Sequence, residues 1–131
     1  MADLDLDQKR AKNLLESAKA LYERGDMAGV AGLAYAAFES AIIALTKKKN
    51  GTDYPSHLLR RERAKVLLDK YQDKIDVLWE VRNIDFYGNV KVGTEMRELS
   101  RAEVEAGLNA VEKIIEEVEK VLNDDTTNKP F

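Results

Sequence analysis

Apolar residues recur along this chain every three or four positions, the spacing of an α-helix, and almost nowhere in strand-like alternation. From about Asp5 to Arg24 they fall at Ala11, Leu14, Leu15, Ala18, Leu21 and Tyr22, one face of a first helix. Gly25 ends it, and Asp26 is placed to cap the next. The second helix, about Met27 to Lys49, reads MAGVAGLAYAAFESAIIALTKKK and is apolar nearly all round, the pattern of a buried central helix. Its Gly29, Gly32, Ala36 and Ser40 recur at helical spacing and admit a neighbouring backbone. Lys47 to Lys49 suit its negative C-terminal dipole, and Asn50-Gly51 is a stop signal. NGTDYPS, residues 50 to 56, reads as a loop whose Ser56 caps a third helix, roughly His57 to Gln72. A fourth is expected from about Asp73 to Tyr87, halted at Gly88. GNVKVGTEMRELS, residues 88 to 100, is expected to be a long irregular connection. Ser100 and Glu103 form a capping-box pattern at the start of a fifth helix, with Val104, Leu108, Val111, Ile115, Val118 and Leu122 on one side.

Short links between long amphipathic helices predict an all-α fold, an antiparallel up-and-down bundle of about five helices in one domain over residues 1–123. Residues 124–131, DDTTNKPF, are expected to be a disordered tail. The fourth helix carries two apolar rows: Ile75, Leu78, Trp79 and Phe86 on one side, and Val77, Val81 and Ile84 on the other. Both need cover, from the other helices or from a second copy of the chain, and a homodimer is the favoured expectation.

Composition narrows the chemistry. The chain's 131 residues suffice for one core and not for two. With no cysteine there is neither a disulfide nor a thiolate metal site, which fits a reducing compartment. The acidic start MADLDLDQKR has no signal-peptide apolar region, and no apolar run is read as approaching a membrane span, so the expectation is a cytoplasmic protein with no membrane partner. A single histidine and no HExxH leave no metal centre, and no cofactor motif is present. Net charge is −3, but residues 47 to 65 hold seven basic against two acidic side chains. That basic lobe either attracts phosphate or is an ordinary solvated face.

Arg82 breaks the pattern. It lies near the middle of the Ile75–Leu78–Trp79–Phe86 stripe, where a leucine would pack, and guanidinium groups are almost never buried unpaired. One reading is an internal ion pair with Glu39 or Asp85. The other is a cleft-facing arginine whose forked donors hold a phosphate, with Asn83 and Tyr87 beside it at the helix end. Glu39 and Asp85 then border the same ligand site. His57 is a further candidate, as an acid/base if it reaches that cleft, or as a half-exposed helix-start residue bonded to a loop carbonyl.

These features together resemble the HEPN (higher eukaryotes and prokaryotes nucleotide-binding) domain family. The resemblance rests on LAYAAFESAIIAL in the second helix, on Pro55-Ser56-His57 opening the third, and on Arg82-Asn83 with Tyr87 five residues after the arginine. It covers roughly residues 10 to 122. It implies a helical dimer with two arginine motifs facing a shared cleft. Many members are metal-independent ribonuclease toxins with an R-x4-6-H motif, and many stand beside a minimal nucleotidyltransferase antitoxin. Here Tyr87 occupies the histidine position. Arg82 to Tyr87 is imperfectly similar to a prokaryotic variant reading R-x2-A-D-Y, with Asp85 one place early. A tyrosine of ordinary pKa about 10 is only about 0.1% ionised at pH 7 and makes a poor general base.

Three functions therefore compete. The first is a nucleotide- or RNA-phosphate-binding module, the toxin-side partner of a nucleotidyltransferase, using Arg82, Asn83 and Tyr87. The second is a weak metal-independent endoribonuclease with Arg82, Tyr87 and His57 as catalytic residues. The third is a purely structural helical adaptor. The acidic net charge favours a small nucleotide or short RNA over a long polyanion.

Overall fold

The protein is described by a computed structural model covering residues 2–87, 90–92, 95–97 and 100–123, with side chains over residues 6–79 and 100–123. Its α-helices are α1 (Ala2–Glu23), α2 (Met27–Asn50), α3 (His57–Leu67), α4 (Gln72–Tyr87) and α5 (Arg101–Leu122).

The predicted punctuation is where the chain turns. Gly25 adopts φ +83°, and the Asp26 carboxylate accepts the Gly29 N–H at 3.0 Å to cap α2. Gly51 closes α2 in the left-handed region, φ 74°, and donates its N–H to the Lys47 carbonyl. Ser56 caps α3 by accepting the Leu59 N–H, and Ser100 and Glu103 form a reciprocal capping box at α5.

Two expectations need correction. α3 stops at Leu67, not Gln72, and a single 3₁₀ turn at Asp69–Tyr71 follows. Leu68 turns inward at φ −125°, ψ 58° and is 6% exposed, so core packing breaks the helix where no glycine or proline marks a stop. The Gln72 side chain then donates to the Lys65 carbonyl at 3.2 Å, satisfying one of α3's last orphan acceptors. The second correction concerns residues 88 to 100, where an irregular connection was expected. Strands β1 (Val90–Val92) and β2 (Glu95–Arg97) pair antiparallel, Val90 with Arg97 and Val92 with Glu95. The Val-Lys-Val alternation and the two residues Gly93-Thr94 between the strands are a short hairpin signal.

α2 is the centre of the bundle. Val30, Ala37, Phe38, Ala41, Ile42 and Ala44 are fully buried, and α1, α3, α4 and α5 all pack on it. Ser40 donates to the Asp7 carbonyl of α1 at 3.0 Å, so one of the predicted small positions does bring a neighbouring backbone close. α2 is also long and apolar enough to cross a membrane, which the sequence reading did not anticipate, but most of that stretch is buried inside the bundle.

Directions follow from side-chain contacts. Gln8 near the start of α1 donates to Ile115 O and Glu119 of α5, while Tyr22 near its end donates to Glu105. Lys48 near the end of α2 reaches the Leu122 carbonyl, and Lys70 just before α4 reaches Glu117. The four long helices thus alternate up and down in chain order. α3 is the exception, a short bridge from α2 to α4. The fold is the expected all-α helical bundle.

Candidate functional site

Charged groups converge where α3 leaves α2. Glu39 lies on α2, one turn after Tyr35, with its side chain only 12% exposed. Its Oε2 faces Nδ1 of His57 in a short contact, and its Oε1 lies 3.7 Å from Arg60. Arg60 in turn forks onto Asp53, Nε to Oδ1 at 3.2 Å and Nη2 to Oδ2 at 3.0 Å. That bidentate bond holds the Asp53 carboxyl below its ordinary pKa, against the opposing effect of partial burial. A carboxylate facing Nδ1 selects, of the two neutral tautomers, the one with its proton on Nδ1 and its lone pair on Nε2. The His57 side chain is half exposed.

His57 is therefore a half-exposed residue at the helix start, as one sequence reading held, but its partner is the Glu39 carboxylate rather than a loop carbonyl. Glu39, named as a partner for Arg82, turns both oxygens toward α3. The side chains of Arg82, Asn83, Asp85 and Tyr87 lie outside the described residues, although their backbone belongs to α4. The start of their stripe is core: Ile75 and Leu78 are buried, and Trp79 packs against the core with its ring 6.1 Å from Tyr35, edge to face.

Sequence reasoning missed what the arginines of α3 do. Arg61 lies over Trp79, 4.6 Å from the ring centroid, and Arg63 over Tyr54 at 5.4 Å. The basic lobe is largely committed inside the protein. Lys47 pairs with Asp7 at 2.8 Å, Lys48 with the α5 C-terminus, Arg60 with Asp53, and Lys65 with Asp76 at 3.0 Å. Arginine rather than lysine at 61 and 63, in a chain that also offers Tyr54 and Trp79, was the available signal, since arginine stacks on aromatic faces more readily than lysine.

Compared with known families, residues 8–121 match the model of the HEPN domain. The chain belongs to the HEPN family. No curated protein matches it. Membership ties this HEPN domain to a nucleotide- or RNA-related role. It also agrees with the helical order on which the resemblance rested, Pro55-Ser56-His57 at the start of α3 included.

Proposed function

We propose that this HEPN domain holds a phosphate group of a nucleotide or short RNA with Arg82, Asn83 and Tyr87 at the end of α4. In this reading it acts in the cytoplasm as a homodimer and as the toxin-side partner of a minimal nucleotidyltransferase. The observation that carries the proposal is the engagement of Glu39. Both of its oxygens face His57 and Arg60, so one of the two carboxylates named as internal partners for Arg82 is already occupied. Direction supports this. α4 runs antiparallel to α2, so the Arg82 backbone lies past the Trp79–Tyr35 contact on the side away from Glu39, about 10 Å along the axis at 1.5 Å per residue. Titration with ATP, AMP and short RNA, followed by NMR, is expected to move the amides of residues 82 to 87. If none of the three ligands perturbs them, the proposal fails.

The His57–Glu39 pair favours a second reading, the endoribonuclease. A carboxylate that orients an imidazole supplies the proton acceptor that Tyr87 does not. The RNA 2′-oxygen attacks the adjacent phosphorus and gives its proton to His57 Nε2. The bond to the 5′-oxygen breaks, that oxygen takes up a proton, and a 2′,3′-cyclic phosphate remains. Cleavage in EDTA that is lost in His57→Ala supports this reading. Full cleavage by that variant excludes it.

A further inference from the structure

Two donors of α3 reach for one carboxylate. His57 and Arg60 are three residues apart, so they share a face of the helix, and both meet Glu39 of α2. In an open contest the guanidinium wins. It is always charged, and its planar fork fits both oxygens of a carboxylate, whereas a neutral imidazole offers a single N–H. The structure shows the opposite outcome. Glu39 Oε2 meets His57 Nδ1, while the Arg60 nitrogen that faces Oε1, Nη1, stays 3.7 Å away, beyond hydrogen-bond reach.

The reason is Asp53. It takes the Nε and Nη2 edge of Arg60 in bonds of 3.2 and 3.0 Å and leaves only Nη1 turned to Glu39. Asp53 is itself fixed, because its carboxyl also accepts the Tyr54 N–H beside it. The bond to Asp53 is the largest reason that the Arg60 pKa lies above its ordinary value, and the charge of Glu39 is a smaller one. All three side chains are shielded from solvent over most of their surface, so water does little to soften the choice of partner.

We infer that Asp53 is a positioning residue for the Glu39–His57 pair, holding the Arg60 fork on the loop so that Glu39 stays free to orient the imidazole. It acts through Arg60 rather than on the ring itself. Its catalytic meaning rests on the endoribonuclease reading. There Nε2 is free to take the proton of an RNA 2′-hydroxyl as long as Glu39 keeps the ring proton on Nδ1. The pairing itself does not depend on cleavage.

Nitrogen-15 NMR of the ring tests it, and the chain's single histidine makes the signal unambiguous. At about pH 9, well above the ordinary histidine pKa of about 6.5, the parent should carry the ring proton on Nδ1. Asp53→Asn keeps the shape of the side chain and removes its charge. The guanidinium should then move onto Glu39 and the ring proton to Nε2, the nitrogen that an unpaired imidazole favours. The double variant Asp53→Asn with Arg60→Met should return the proton to Nδ1, because the competitor is gone. A loop that had only loosened would not recover in this way. Far-UV circular dichroism should be the same in all three proteins. On the endoribonuclease reading, cleavage should fall by about tenfold or more in Asp53→Asn and return in the double variant. Unchanged ring nitrogens in Asp53→Asn overturn the inference, as does the absence of recovery in the double variant. A parent ring protonated on Nε2 overturns it together with the endoribonuclease reading. Ring protons that move as expected in a protein that cleaves no RNA end that reading alone and leave the positioning role of Asp53 standing.

Discussion

At the scale of single residues, Asp53, Arg60, Glu39 and His57 form one chain of contacts tying the loop before α3 to α2. Arg60 is the pivot. Removing one carboxylate leaves it with the other, so Glu39→Ala is expected to lower unfolding free energy by about 1–3 kcal/mol, the cost of an under-satisfied charged group. The measurement is a urea midpoint at unchanged slope. Asp53 adds a pH dependence with a definite sign. Its folded pKa lies below the unfolded value, so its contribution is present in full above about pH 4 and is lost as pH falls through the folded pKa. Urea midpoints taken from pH 6 down to pH 3 should therefore fall less steeply in Asp53→Asn than in the parent. The variant should also start about 1 kcal/mol lower at neutral pH, a modest figure because the side chain is 28% exposed.

At the scale of elements, the legible boundaries are those where a terminus is held by its own side chains. Asp26, Gly51, Ser56, Ser100 and Glu103 were all readable, because a cap needs a particular residue at a particular offset. The end of α3 was not, since Leu68 breaks the helix by turning into the core and nothing local marks it. Residues 90–97 were missed because three-residue strands are too short for alternation to stand out. The candidate site was half legible. Glu39 and His57 were both named, but their pairing with each other depends on how α3 crosses α2, which periodicity does not encode. Ser100→Ala tests the caps. It removes the acceptor of the Glu103 N–H and should cost about 1 kcal/mol, read as a lower melting temperature.

At the scale of the whole molecule, one helix organises the rest, and stability should be distributed to match. Phe38 is fully buried near the middle of α2, its ring 5.3 Å from Tyr35, which in turn meets Trp79 of α4. Truncating it opens a cavity that α1, α4 and α5 cannot all close, because each is fixed by contacts elsewhere: Lys47 to Asp7, Lys65 to Asp76, Lys48 to the end of α5. Phe38→Ala is expected to cost about 3–5 kcal/mol, a large share of the 5–15 kcal/mol typical of a domain. Val66→Ala makes the contrast. It also removes apolar bulk, but from a position 61% exposed in the single chain, so monomer stability should change by less than about 0.5 kcal/mol. Urea unfolding at micromolar and near-millimolar protein separates the two effects. The Phe38 penalty should be the same at both concentrations. The Val66 penalty should stay small at both.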